Sequence, residues 1–354
     1  MDVSDEGPTN TVNVLFVTAS IVNHALCRRI YRTLYEHEIV ARQIKVACCL
    51  LRFKIPDAAW VLNVLSPVIQ LLSTLVHSVS HFGKQFVASN GLDMLYKTHT
   101  LCSDDTCVEL IGHMLLLVNQ LARASEENYP YIFEAKIVPE FSRHIEDTDA
   151  ATRSKFCNLV GNLCRHSDLF FNLFSETLVI TASAPAQAHC SIISALVNCC
   201  GDRDETTRKF ACFAVGNASF HSAALYQHLK LAVPLLVQAL FDSEEKTRAN
   251  AAGALGNFVR NSADLCGDIV AHHAPAKLLQ VAMNDLSVNP RRIALFSLGN
   301  VCVYRVCRVS LSSLRPPLDQ QLLTLEASLG DSTARKYIVR LRQKLQAPAN
   351  ATGR

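Results

Sequence analysis

The chain has 354 residues, of which 49% are hydrophobic and 18% charged, with a formal net charge of +3. That hydrophobic share excludes wholesale disorder, and so small a net charge gives no argument for a nucleic acid partner. The chain is longer than one ordinary core yet shows no break in composition, which suits a row of like modules that needs no global core.

Met1–Thr11 reads as a flexible leader. Asp2, Asp5 and Glu6 stand where a secretory signal would need basic residues, so no such signal is expected. Val12–Leu26 is apolar but interrupted by Asn13, Asn23 and His24, too short and too polar to span a bilayer. Val12–Phe53 predicts two or three helices of weak repeat character. Pro56 breaks the pattern, and Ala58–Ser78 resumes as a long apolar helix. A clear three-helix unit follows: His81–Ser89, an Asn90-Gly91 turn, Leu92–Leu101 and Thr106–Ala124. Tyr129–Ala135, Ile137–Ile145 and Ala151–His166 predict another. Thr181–Ala186, rich in small residues with Pro185, reads as an inserted loop. Three further units end near Cys212–His221, Ala252–Ser262 and Ile293–Arg308. Pro316-Pro317 is expected to stop the array, leaving Leu318–Leu329 and Ser332–Leu345 as closing helices whose basic residues give a polar outer face. The expected organisation is a leader and degenerate repeat over 1–57, repeats over 58–310, and a cap with a basic tail over 311–354.

The repeat is visible in four related segments. They read A-T-R-S-K-F-C-N-L-V-G-N-L from Ala151, E-T-T-R-K-F-A-C-F-A-V-G-N-A-S from Glu205, K-T-R-A-N-A-A-G-A-L-G-N-F from Lys246, and P-R-R-I-A-L-F-S-L-G-N-V from Pro290. In each, an Arg (Arg153, Arg208, Arg248, Arg291) precedes a Gly-Asn pair by eight residues, and the pairs recur at 55, 40 and 43 residues. Two of these intervals fall in the roughly 40–47-residue period of helical HEAT and armadillo arrays, and the insertion accounts for the longer one. The expected fold is all-α, an armadillo/HEAT-like right-handed superhelical solenoid of about six units. The segments are apolar nearly all round, as a helix sandwiched between neighbours must be, and their alanines permit close approach. Acidic residues before them, such as Asp147, Asp149, Asp202, Asp204, Asp242, Glu244 and Asp285, suit the positive ends of helices.

At about 100° per residue, the nine positions from Arg to Asn amount to half a turn, so the two side chains face opposite ways. The amide of Asn can fix the backbone of an extended peptide along a groove, or it can bond the backbone of a neighbouring helix. The candidate partner contacts are Asn119, Asn162, Asn217, Asn257 and Asn300, with Arg165 and Arg260 as charged flanks three residues past their Asn. Asn119 enters because it lies 43 residues before Asn162. The Arg series is expected to pair with nearby acidic loops. The fourteen cysteines form no C-x-x-C pair and sit mostly in apolar helical runs, so they read as small buried hydrophobes in a reducing compartment. His272-His273 lacks a ligand set, and no metal or cofactor is expected.

The three-helix period and the A-x-G-x-L-G-N style of third helix resemble armadillo repeats. Arg208–Asn217 followed by Arg248–Asn257 is similar to the C-terminal armadillo region of Fused-type serine/threonine kinases. That resemblance implies a scaffold or regulatory segment working in the cytoplasm or in a cilium or flagellum, in signalling, cytokinesis or motile-cilium assembly. Its implied partners are proteins or peptide segments held in a concave groove, kinase or axonemal proteins among them, with no nucleic acid and no membrane. The sequence departs from the full-length pattern in having no Gly-rich phosphate loop, H-R-D or D-F-G, so no enzymatic activity is expected of this chain. Two alternatives are a nuclear-import-type adaptor and a fragment of a larger serine/threonine kinase. Against the adaptor, the positions where such proteins carry groove tryptophans hold Asn158, Phe213, Gly253 and Phe296.

Overall fold

Third helices poor in large side chains force their neighbours close, and the fold follows from that. A computed structural model describes residues 31–52, 58–102, 107–180, 189–328 and 330–346. The expected leader and the tip of the insertion lie outside the described residues. The chain divides into two compact units, residues 1–159 and 160–354.

In the first unit the described helices come in threes. α1 (Tyr31–Glu36), α2 (Ile39–Arg52) and α3 (Ala58–Ser78) form one triplet; α4 (Ser80–Ala88), α5 (Gly91–Thr100) and α6 (Val108–Ala124) form the next. α7 (Tyr129–Glu134) and α8 (Ile137–Phe141), prolonged by a 3-10 turn over Ser142–Glu146, then lead into α9 (Ala150–Leu163). First and second helices are separated by two residues, the second of them in the left-handed region: Glu38, Asn90 and Lys136, with φ of 51°, 61° and 53°. One left-handed residue turns the chain without a loop, and Asn adopts it most readily. Gly91 follows because a Cβ there would meet the Phe86 ring at 2.5 Å. α3 packs along α6, and both bury a broad apolar face.

The second unit begins in the last turn of α9. α10 (Phe171–Glu176) leads to β1 (Leu178–Ile180) and β2 (His189–Ser191), an antiparallel pair in register Leu178 with Ser191, before α11 (Ile192–Cys199) and α12 (Glu205–Ala218). The expected plain loop is therefore framed by a short ladder. Val179 is 2% exposed and anchors it, while the flanking residues carry no run long enough to announce strands. α13 (Tyr226–Leu229), α14 (Ala232–Ala239) and α15 (Glu245–Asn257) follow, then α16 (Cys266–Ala271), α17 (Ala274–Asn284) and α18 (Val288–Val301). His273, with φ 57°, is the left-handed junction between α16 and α17. α19 (Arg305–Ser310), α20 (Leu318–Ser328) and α21 (Ser332–Gln346) make a further triplet, its third helix packed on α18 as α18 packs on α15 and α15 on α12.

The acidic residues ahead of the third helices do cap them. Asp149, Asp204 and Glu244 accept the backbone N–H of Thr152, Thr207 and Thr247 at 2.8, 2.7 and 2.7 Å, and the same carboxylates take the threonine hydroxyls. Each threonine is fully buried, so cap and hydroxyl are satisfied together. No disulfide forms among the described cysteines, most of which are buried. Burial pushes the thiols of Cys102 and Cys302 up to about 12, far from a reactive thiolate. No helix among the described residues is long and apolar enough to cross a membrane.

Candidate peptide-binding face

Two ladders of side chains run across the third helices of the second unit, and they run in opposite directions. Half a turn separates the repeated Arg from the repeated Asn, and that geometry sends Arg forward to the next triplet and Asn back to the previous one. Arg208 forks onto Asp242 at 2.6 and 3.2 Å, and Arg248 onto Asp285 at 2.6 and 2.9 Å. Both also donate to carbonyls of their own preceding turn, Asp202 and Arg203 for the first, Asp242 and Ser243 for the second. Such bidentate pairs are the strongest class of hydrogen bond available to carboxylates. Burial raises the carboxyls of Asp242 and Asp285. The hydrogen bonds from Arg208 and Arg248, backbone N–H groups and the arginine charges outweigh it and hold both below the ordinary range.

The expected local pairing of the Arg series is thus an interaction between triplets. In the fourth segment it shifts by one residue. Arg292, not Arg291, reaches the next acidic turn, forking onto Asp331 at 2.5 and 2.8 Å, while Arg291 donates to the carbonyl of Ala282. The interval from Asp285 to Asp331 is 46 residues, against 40 and 43 for the two before it, and the side chain one position further along α18 is the one that reaches the acidic turn.

Asn217, Asn257 and Asn300 donate their Nδ2 to the carbonyls of Gly161, Gly216 and Gly256, at 2.8, 2.9 and 3.4 Å. The chemistry fixes the orientation of each amide, because only nitrogen can donate to a carbonyl. All three residues are half-buried, and their carboxamide oxygens have no partner among the described residues and are open to solvent. Asn162 and Asn119 differ. They are 3% and 4% exposed and engaged within the wall of the helices. Arg165 and Arg260 are exposed. The Arg165 carbonyl accepts from His221 at 3.0 Å, and the Arg260 guanidinium lies 4.1 Å from the centre of the Phe220 ring.

The Asn ladder continues where no Asn marks it. Lys344 on α21 donates to the carbonyl of Gly299, taking the same place 44 residues after Asn300. Together with Asp331 it carries both ladders into the pair of helices expected to be only a cap. The signal available in the sequence was an Asp fourteen residues ahead of each paired Gly, at Asp147, Asp202, Asp242 and Asp285. Phe213 and Phe296 are half-buried on the same face. Phe213 lies over the space left by Gly161, and Phe296 meets the Tyr337 ring edge-on at 5.6 Å between centres. Among the described residues no group of three or more His, Cys, Asp or Glu is placed to hold a metal ion.

With this geometry in hand, similarity to known proteins can be weighed. The HEAT repeat family model matches residues 232–262, from α14 to just past α15. The serine/threonine-protein kinase TIO of Arabidopsis thaliana is 35% identical over 259 residues, 69% of this chain and 19% of that protein. Serine/threonine-protein kinase 36 of Pongo abelii is 26% identical over 238 residues, 65% of this chain and 16% of that protein. The chain thus spans about a fifth or less of the length of these relatives. Among solved structures, an engineered protein superimposes with a TM-score of 0.72 over 90% of this chain and 71% of its own, at 16% identity. The designed armadillo repeat protein YIII(Dq)4CqI gives 0.61 over 74% of this chain and 99% of its own, also at 16% identity. A related design, solved in complex with the peptide (KR)4, gives 0.60 over 75% of this chain and 98% of its own, again at 16% identity. The chain is an armadillo/HEAT-like repeat protein, homologous over the matched stretch to the Fused-type serine/threonine kinases.

Proposed function

We propose that the chain is a non-catalytic scaffold or regulatory module that holds a protein segment against its third helices. The observation that carries this reading is the column of Asn217, Asn257 and Asn300, each with its nitrogen committed to a glycine carbonyl and its oxygen open. One acceptor per triplet suits the recurring N–H groups of an extended backbone, the means by which peptides add to a repetitive polar surface. Arg165 and Arg260 flank the column, and one designed armadillo protein of the same fold was solved with a peptide bound. In this reading Asn119 and Asn162, being buried, support the wall rather than touch the partner.

The similarity to Fused-type kinases supports a role in signalling, cytokinesis or motile-cilium assembly, in the cytoplasm or a cilium, with kinase or axonemal proteins as partners. It also favours a second reading for the chain as a whole, as one part of a longer kinase-type protein, because the relatives are several times its length. An import-type adaptor is disfavoured by Phe213, Gly253 and Phe296 in place of tryptophans.

The test is affinity purification from cells with the wild-type chain and with an N217A/N257A/N300A variant, read beside the melting temperatures of both. The same proteins should be captured by the wild type and lost from the variant while it remains folded at the capture temperature. Unchanged capture with a lowered melting temperature would make the column purely structural.

A further inference from the structure

A helix that lines a binding face shows its ligand a strip rather than a patch, so the composition of that strip states what it can accept. Centred on Phe213, α12 turns the residues four either way and seven before toward the same side as Asn217, and the turn after the helix adds the residue seven beyond, Phe220 here and Arg260 after α15, the two in contact with each other. The corresponding centres on α15, α18 and α21 are Gly253, Phe296 and Arg340. Reading outward from them, the strip carries Lys209, Lys246, Arg260, Lys336 and Arg340, half-buried or exposed, and no carboxylate at the matching positions. Among the described residues none of these five has an acidic partner within ion-pair distance. Lys209 and Arg260 instead rest on the rings of Phe210 and Phe220. Two more cations lie in the strip with partners of their own, Arg292 on Asp331 and Lys344 on the Gly299 carbonyl. Burial, and then the neighbouring charge of Arg340, pushes the Lys344 ammonium below its ordinary range. Like charges are therefore crowded here.

This excess is local. The whole chain carries only +3, so the accumulation on one face of four helices is not a consequence of a basic composition. Elsewhere in the second unit Asp204 and Glu244 cap helices and Asp242, Asp285 and Asp331 receive arginines, and no carboxylate falls at the strip's own positions. Apolar surface interrupts the charge at Phe213, Phe220, Phe296 and the Gly253 gap, which leaves room for side chains between the cations.

We infer that this strip binds an extended acidic polypeptide segment, with carboxylates on the unpaired lysines and arginines, apolar side chains on the phenylalanines, and backbone N–H groups on the open asparagine oxygens. The inference rests on the peptide-binding reading above and adds the chemistry of the partner. Third helices packed about 10 Å apart place four of them across about 30 Å, a distance that about ten extended residues cover. A single-stranded nucleic acid shares the negative charge and would stack on the same rings. Its phosphodiester backbone, however, offers no donor to the row of asparagine oxygens, whereas a polypeptide supplies one at each residue. The preferred charge is opposite to that of the (KR)4 peptide held by the designed protein of the same fold.

The experiment uses the full chain and three fluorescein-labelled peptides of about twelve residues, in which Leu and Gly alternate with Glu, with Gln or with Lys. Fluorescence polarisation should show the Glu peptide binding at least about tenfold more tightly than the Gln peptide and the Lys peptide binding least. Affinity for the Glu peptide should fall at least about tenfold between about 50 and about 300 mM salt, as exposed charges are screened. The K209E/R260E/K336E/R340E variant should reverse the order of the Glu and Lys peptides, an outcome that mere loss of structure does not produce. Should that variant melt at the assay temperature, K246Q/K336Q/R340Q replaces it, at exposed positions, and should weaken the Glu peptide about tenfold. Equal binding of the Glu and Gln peptides, lost in N217A/N257A/N300A, would overturn the acidic preference and leave the peptide-binding reading standing. Binding of none of the three would overturn both. Displacement of the Glu peptide by oligothymidylate at lower concentration than by unlabelled Glu peptide would overturn the inference in favour of a nucleic acid.

Discussion

Asp147 and Asp285 occupy the same place in their triplets, yet the two regions of the molecule hold them differently. Asp285, in the second unit, receives a fork from Arg248 of the preceding triplet. Asp147, in the first, accepts the Nδ1–H of His144 at 3.2 Å, and His144 in turn takes the Nε2–H of His99 at 2.9 Å. A carboxylate can only accept, so His144 is protonated on Nδ1 and offers Nε2 as an acceptor, which makes His99 the donor. One position in the repeat thus accommodates either a charged fork or an imidazole relay. The second unit resists acid with permanent cations; the first relies on a buried His99 that must stay neutral.

Cutting the charged fork has the largest expected effect. Asp285 has only 5% of its side chain exposed and Arg248 16%, so Arg248→Ala strands a buried carboxylate at a cost of about 3 kcal/mol, the range found when one partner of a buried pair is removed. Arg208→Ala should cost nearly as much and Arg292→Ala less, because 42% of the Arg292 side chain is exposed. Denaturant melts of the three variants check the order, and a smallest effect at Arg248 would break the comparison.

The relay in the first unit is weaker and answers to pH. His144→Ala leaves the His99 donor and the Asp147 acceptor without each other's bridge, at about 2 kcal/mol. Burial, then the charges of His144 and Arg143, hold His99 down to about 3 from an ordinary 6.5. The unfolded chain therefore binds a proton that the folded one refuses, and stability in this region falls as pH drops below about 6.5. For Asp242 and Asp285 the sign is the same but the window lies lower. Their depressed carboxyls add stability above the ordinary carboxylate value, and it is lost only as pH falls below about 4. Hydrogen exchange at pH 5 should show α5 and the Ser142–Glu146 turn losing protection while α15 and α18 keep theirs. Uniform loss across both would erase the distinction.

The asparagine rungs rank below either. Asn257→Ala removes one donor from a half-buried bond to Gly216 and should cost about 1 kcal/mol. Asn300→Ala, whose bond is 3.4 Å long, should cost less.

These contrasts show how much the sequence could reveal. The Arg and Gly-Asn spacing was enough to read the solenoid, and half a turn between Arg and Asn was enough to separate two ladders. The acidic caps and buried cysteines followed from residue type and position alone. What stayed hidden was pairing between unlike residues. His99 and His144 belong to successive triplets but match no repeated motif, so periodicity could not join them. Lys344 takes the place of an asparagine, and only the position of the backbone exposes the equivalence. Arg291 keeps the spacing of its series, yet the bond to the next acidic turn falls to Arg292. The basic strip was equally concealed, because its members are scattered along four helices with no local run of charge.

One further contrast, in which one of the two changes should cost nothing, separates two glycines that the sequence treats alike. A Cβ at Gly256 would run into the side chain of Ser297 and approach its Cα at 2.9 Å, backbone that cannot swing aside, whereas one at Gly299 meets nothing within 4 Å. Gly256→Ala should therefore destabilise by about 2 kcal/mol through overpacking between α15 and α18. Gly299→Ala, inside a helix, should be neutral or stabilise by up to about 1 kcal/mol, the intrinsic preference of Ala over Gly there. The contrast is a property of spacing between third helices. α15 and α18 touch backbone to backbone at Gly256, while the approach of α21 to α18 is held by the long arm of Lys344 rather than by contact at Gly299. If thermal melts showed equal losses at both glycines, the looser seating of α21 would be wrong, and with it the reason a lysine can stand where the other helices place asparagine.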